Sequence, residues 1–228
     1  QDATDIVRKA EEKMRGESSK TVMTMKIIRP GWTRTISFKS WTQGNDYSLT
    51  LITAPAKEKG QTFLKRENEL WNYVPSINRM VKLPPSMMAQ GWMGSDFSND
   101  DIIKEFSLVE DYHHSIEGTE ALEGMECFKI ELLPKEGAAV VWGKILKWIT
   151  KDGYHQLKTE YYDEDGYLIK TETATDIRLM DDRQIPIYFE IIPADEPGNK
   201  TILTMDEAEF DINISPNFFS KQNMKRVR

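Results

Sequence analysis

From residue 21 nearly to its C-terminus the chain alternates apolar and polar residues with a period of two, in short runs rich in β-branched and aromatic side chains. That period places successive side chains on opposite faces of an extended strand and excludes a helical bundle. The runs cover 21–28, 33–41, 46–52, 61–66, 69–74 and 77–83, then 110–118, 125–133, 140–150, 154–162, 167–180, 184–192 and 200–210. Pro30-Gly31, Gly44-Asn45, the loop from Pro55 to Gly60, Glu67-Asn68 and Pro75-Ser76 separate the first set. Connections this short join antiparallel neighbours. Lys151-Asp152-Gly153 and Asp163-Glu164-Asp165-Gly166 are hairpin signals of the kind that need positive φ. The pattern predicts about a dozen strands, and no stretch has linker composition, so residues 1–228 are expected to form one domain around a single, highly curved sheet.

Within the strands, Tyr47, Leu49 and Leu51 share one face and Ser48, Thr50 and Ile52 the other. In 125–133, Phe128, Ile130 and Leu132 oppose Cys127, Lys129 and Glu131, which puts Cys127 on the polar side. Segment 140–150 is apolar on both faces and also fits helical spacing through Val141, Ile145 and Trp148. The Asp152-Gly153 turn that follows favours a strand, covered on both sides.

Two segments break the period. Residues 2–16 read as an amphipathic helix with Ile6, Ala10 and Met14 on one face, Thr4 or Asp5 as cap and Gly16 as stop. In 83–106, Pro84-Pro85 ends a strand and Ser86 can cap a short helix bearing Met87, Met88, Trp92 and Met93, with Gly91 and Gly94 as hinge points. Ser98 and Asp101 then have capping-box spacing for a second helix bearing Ile102, Ile103 and Phe106.

Chemistry is sparse. His113 and His114 are adjacent, so on a strand they diverge, and His155 stands apart. Phosphate-loop, nucleophile-elbow, HExxH and CxxC motifs are missing. The 163–166 acids read as a turn and Asn99-Asp100-Asp101 as a helix start. Met80, Met87, Met88 and Met93 could ligate Cu(I), but packing or a ligand-facing lid suits thioethers without neighbouring His or Cys. We expect no metal, no cofactor and no enzymatic activity. The net charge of −7 argues against nucleic-acid partners. The basic end, with Lys221, Lys225, Arg226 and Arg228, reads as a solvated tail or a docking patch for an acidic partner or membrane surface. No apolar run approaches the roughly 20 residues of a membrane-spanning helix. The start at Gln1, one step before a helix signal, fits a mature form whose signal peptide has been removed.

The block TAPAKEKGQTFLKRENELWNYVPSINRMVKLPPSMMAQGWMGSDFSNDDI (53–102), with LLPKEGAAVVWGKILKWI (132–149), FFSKQNMKRVR (218–228) and the helix 3–16, resembles the bacterial outer-membrane lipoprotein-sorting proteins, a LolA-like family. The resemblance implies a mainly β fold: a half-open antiparallel β-barrel of about eleven strands, with an N-terminal helix and a helical lid over its mouth. It implies a monomeric periplasmic carrier that shields the acyl chains of a lipoprotein, or a free lipid, on the way to the outer membrane. Relatives of this branch are linked to resistance-nodulation-division transporters. That leaves a hopanoid-like cargo, or a role as an accessory subunit docked on an inner-membrane transporter, as alternatives. Burying an acyl chain stabilises a complex by about 0.8 kcal/mol per methylene, so no catalytic group is needed. On this reading the cavity is lined by Tyr47, Leu49, Leu51, Trp71, Tyr73 and Met80 and covered by Met88, Trp92, Met93 and Phe97. The alternation does not say which face points inward, and Trp71 and Tyr73 fit equally well outside, under a helix.

Overall fold

The computed structural model describes residues 2–104 and 108–228, with the side chains of Ile103 and Lys104 outside the described set. Thirteen strands form one open antiparallel sheet. They are β1 (Ser18–Arg29), β2 (Trp32–Gln43), β3 (Tyr47–Ala54), β4 (Thr62–Arg66), β5 (Glu69–Val74), β6 (Arg79–Lys82), β7 (Tyr112–Leu122), β8 (Met125–Pro134), β9 (Lys144–Thr150), β10 (Gln156–Tyr162), β11 (Leu168–Met180), β12 (Arg183–Pro193) and β13 (Lys200–Phe210). That is two more than the resemblance implies, and the sheet does not close into a barrel.

Strand order is β6-β5-β4-β3-β2-β1-β13-β12-β11-β10-β9-β8-β7. The chain therefore starts in the middle, builds outward by hairpins to one edge, and restarts at the opposite edge. It then returns by hairpins until β13 pairs with β1, for example Met25 opposite Leu203. Only residues 83–111 link the two edges. The turns behave as their chemistry dictates. Asp163 Oδ1 accepts from the backbone N–H groups of Asp165 (3.0 Å) and Tyr167 (2.8 Å), and Gly166 takes φ 84°. Segment 140–150 yields the strand β9, with Ile145 and Ile149 on one face and Leu146 and Trp148 on the other, all buried.

Helix α1 (Ala3–Arg15) lies on the inner face of the second half, where Ile6, Val7 and Ala10 pack on Ile130, Leu132 and Ile145. Its N-cap is Asp2, without a side-chain cap bond, so neither Thr4 nor Asp5 plays that part. Asp5 instead pairs with Lys9 at 2.9 Å. Gly16 ends the helix at φ 66°, and a Cβ there would sit 2.6 Å from Asp211 Oδ1. Cys127 does not face water. Its side of β8 is covered by Leu146, Trp148 and Leu157, because that sheet face has an apolar cluster of its own.

The crossing segment differs from the sequence reading in its first part. Residues Pro85–Met87 and Trp92–Gly94 form 3-10 turns rather than a helix capped by Ser86. Gly91 sits where a Cβ would lie 2.4 Å from the Ser95 carbonyl oxygen, so close backbone approach demands it. The second part agrees with expectation in α2 (Asn99–Lys104). Ser98 N–H donates to Asp101 Oδ2 at 2.6 Å and Asp101 N–H to Ser98 Oγ at 3.0 Å, a reciprocal capping box. Phe106, and the side chain of Ile103, lie outside the described residues. A one-turn α3 (Leu108–Asp111) leads into β7.

The C-terminal segment is anchored by its apolar residues, while Lys221, Lys225, Arg226 and Arg228 are exposed as a solvated tail would have them. Phe219, Met224 and Val227 are buried against Leu49, Leu51 and Leu64, and Thr62 Oγ1 donates to the carbonyl of Met224 in α4 (Lys221–Met224) at 3.0 Å.

Replacing Ile6, which is fully buried beneath α1, by alanine should cost about 2–5 kcal/mol in urea unfolding. Arg8→Ala on the exposed face of α1, which removes only a solvent-exposed ion pair to Asp5, should change stability by less than about 0.5 kcal/mol.

Candidate functional site

A cavity of about 200 Å³ lies between the inner face of the sheet and the elements laid across it. Three kinds of wall meet there. Met23, Met25, Phe38, Phe189, Leu203 and Met205 supply an apolar wall from the central strands. Trp92, Phe97 and Ile102 of the crossing segment and Met14 of α1 close over it. Trp92 is wedged edge-on between Phe38 and Phe63, with ring centroids 5.5 and 5.3 Å away. Beside the apolar wall runs a hydroxyl shelf on β1–β3, where Ser19 bonds Thr42 at 2.7 Å and Ser40 bonds Thr50 at 3.0 Å. These pairs are in register, so their hydroxyls satisfy one another and add little polarity.

The third wall is charged. Lys147, Thr159 and Glu172 are cross-strand neighbours in one row over β9, β10 and β11, and Ile145, Tyr161 and Lys170 form the next. Glu11 reaches the same place from α1, and Asp100 and Asp101 from α2. Burial pushes the Glu11 carboxyl up to about 7, against the pull of Lys147 and Arg15. Burial raises Glu172 as well, opposed by Lys147 and Lys170. Lys170 is fully engaged. It pairs with Asp101, donates to the Asp96 carbonyl at 3.0 Å and lies 4.9 Å from the ring centroids of both Trp142 and Tyr161. Asp101 also accepts from Trp142 Nε1 at 3.0 Å. Across the cavity, Arg29 grips Asp96 with two bonds of 3.0 Å, and Thr201 Oγ1 donates to the same carboxylate at 2.7 Å. The crossing segment is thus tied to both halves of the sheet.

Of the residues expected to form the site, Trp92 and Phe97 line the cavity, and Met88 and Met93 pack against the same cluster behind them. Tyr47, Leu49, Leu51, Trp71, Tyr73 and Met80 do not reach it. They occupy the outer face, under the C-terminal segment, where Tyr47 stacks on Phe219 at 5.8 Å. The register explains this: Ser48 and Thr50 face Thr42 and Ser40 on the inside, so the odd-numbered residues of β3 must point out. The residues missed were the charged row and the Met-rich centre of β1 and β13, Met23, Met25 and Met205.

The histidines are dispersed. His114 is held by Thr4 Oγ1 and the Leu108 carbonyl, each at 3.2 Å, and burial lowers its pKa. His155 is buried behind the β9–β10 turn, which also lowers its pKa. Among the described residues no group of three or more metal-ligating side chains converges.

A family model described as an uncharacterized protein matches residues 44–226. No curated protein matches the chain. Three crystal structures share its fold over nearly the whole length. A DUF1329 family protein from Desulfovibrio piger superposes with a TM-score of 0.89 at 24% identity, covering 97% of each chain. A domain assigned as an outer membrane lipoprotein-sorting protein, from Vibrio parahaemolyticus, gives 0.86 at 23% identity and 98% of each chain. A LolA superfamily protein from Nitrosomonas europaea gives 0.84 at 22% identity, covering 98% of this chain and 99% of that one.

The charged wall should leave a pH signature. Between pH 4.5 and about 7 the folded protein holds the Glu11 proton that the unfolded chain releases, so stability falls as pH rises through that window. Above it the carboxylate must be carried buried. Glu11→Gln should therefore be more stable than wild type at pH 8, by up to roughly 3 kcal/mol, and nearly equal to it at pH 4. Urea midpoints at the two pH values measure this directly.

Proposed function

We propose that this chain, which belongs to the family whose model matches residues 44–226 and shares the fold of the lipoprotein-sorting and LolA superfamily structures, is a periplasmic carrier that shelters the acyl part of a lipid or lipoprotein. The observation that carries the reading is the cavity, with an apolar wall of Met23, Met25, Phe38, Phe189, Leu203 and Met205, placed between an open sheet and a separate covering segment. A sheet used only to dock on a transporter has no need of that space. Nor is hydrolysis favoured, since among the described lining residues no nucleophile is seen paired with a base.

Size adds a constraint. An apolar cavity of about 150 Å³ holds one benzene. The space here, about 200 Å³, takes little more than a ring-sized group, so a long chain enters only when the cover lifts. The segment that has to move is the one that carries Trp92, Phe97 and Ile102. Its outward path is limited by the Arg29–Asp96 and Lys170–Asp101 pairs.

Lipid extracted from protein purified from its native envelope, followed by mass spectrometry, tests the carrier role; recovery of protein with no associated acyl compound, and no uptake of an apolar fluorescent probe in vitro, would remove it. Phe97→Asp places a charge on the cavity wall and should weaken displacement of that probe by an acylated peptide or phospholipid tenfold or more. Tyr47→Ala, on the outer face, should leave binding within about twofold, since that is roughly 0.4 kcal/mol.

A further inference from the structure

The charged wall has no part in sheltering a hydrocarbon chain, and it is costly to keep. Glu11 is 7% exposed, and among the described residues its Oε1 has no hydrogen-bond partner while it lines the cavity. Thr159, fully buried between Lys147 and Glu172 in the same row, also has an unpartnered Oγ1, a hydroxyl that can either donate or accept. A buried acceptor without a donor is unfavourable unless something supplies one. Four carboxylates, Glu11, Asp100, Asp101 and Glu172, stand against the ammonium groups of Lys147 and Lys170. Arg15 and Glu110 beside Glu11 add one group of each sign, so among the described residues carboxyl groups outnumber basic ones. Neither lysine is a vacant anion site. Lys170 is consumed by Asp101 and the Asp96 carbonyl, and Lys147 donates to Gln156 Oε1 while facing both glutamates.

We infer that this wall receives the polar end of the carried amphiphile, and that this end is a hydrogen-bond donor, an ammonium or a hydroxyl, rather than a phosphate or carboxylate. The inference rests on the carrier reading and narrows its cargo. The tail lies along Met23, Phe38 and Leu203, and the head donates to Glu11 Oε1 and Glu172. An anionic head would meet carboxyl groups in excess of cations that are not already engaged, in surroundings where charge is poorly screened.

The test is displacement of a bound apolar fluorescent probe at pH 8 by four ligands with one tail: decylamine, decanol, decanoate and decyl phosphate. Decylamine and decanol should bind at least tenfold more tightly than decanoate and decyl phosphate. Glu11→Gln and Glu172→Gln should each shrink the preference for decylamine over decanoate several-fold while leaving decanol within about threefold. Equal binding of all four ligands, or tighter binding of either anion, overturns the head-group inference and leaves the carrier reading standing. If none of the four displaces the probe, or no probe binds, the carrier reading falls and takes this inference with it. If Glu11→Gln folds poorly, Glu172→Gln read against the same ligands decides alone.

Discussion

An antiparallel sheet that grows outward from its middle can reach its second edge only if the chain leaves the first edge and crosses the whole sheet. In this protein that crossing runs over the inner face, from β6 to β7. Past Leu83, whose N–H donates to the Leu70 carbonyl of β5 at 2.8 Å, its polar backbone is satisfied largely in other ways. Trp92 N–H donates to the Phe97 carbonyl at 2.6 Å, Gly91 bridges Ser98, and the Ser98–Asp101 box closes the start of α2. The cavity and its cover follow from that one topological demand. A sheet that closed on itself would have no edge to reach, and a shorter crossing would leave the inner face open to water.

The two anchors of the crossing segment differ in kind. Arg29 and Asp96 form a fork-to-carboxylate pair with both oxygens used, geometry that recovers much of the desolvation cost. Lys170 is a point charge that Asp101, a carbonyl oxygen and two ring faces surround. Buried pairs contribute little net stability compared with apolar replacements, but breaking one partner away is expensive, so they fix position more than they add strength. Asp101 shows this economy in a single side chain. It caps a helix, accepts from Trp142 and pairs with Lys170, and so couples the start of α2 to the strand β11.

Much of the fold was legible in the sequence because period-two alternation and turn chemistry are local. All thirteen runs became strands, and the Asp163–Gly166 turn and the Ser98–Asp101 box formed as their spacing predicts. The face that points inward was not legible, for a physical reason. The sheet is covered on both sides, inside by α1 and the crossing segment and outside in part by the C-terminal strap, so an apolar face is no guide to the interior. Tyr47, Leu49 and Leu51 look like a cavity wall and are roofed instead by Phe219 and Met224, while the inner face of the same strand is Ser48, Thr50 and Ile52. The charged wall was illegible for the converse reason. Lys147 and Glu172 read as outward-facing by type, and only the long-range pairing of β9, β10 and β11 turns them inward. The 3-10 turns around Gly91 likewise depend on a backbone approach that no local signal encodes.

These arrangements bear on how the cover can move. Lifting the segment on the β1–β13 side separates Arg29 from Asp96 and also frees Thr201, a fully buried hydroxyl. Lifting it on the β11 side separates Lys170 from Asp101, but Lys170 retains a second carboxylate, Glu172, close enough to pull that group's pKa down. The first route strands a guanidinium with no alternative acid described beside it, whereas the second only exchanges one partner for another. Charge left unpaired in a buried site is a large cost of such a motion, so on the proposed carrier function a lifting cover would hinge near Asp96 and open from α2. That edge is also where the charged wall meets the apolar one, so on the proposed carrier function an amphiphile entering there would meet a polar face before its tail is covered.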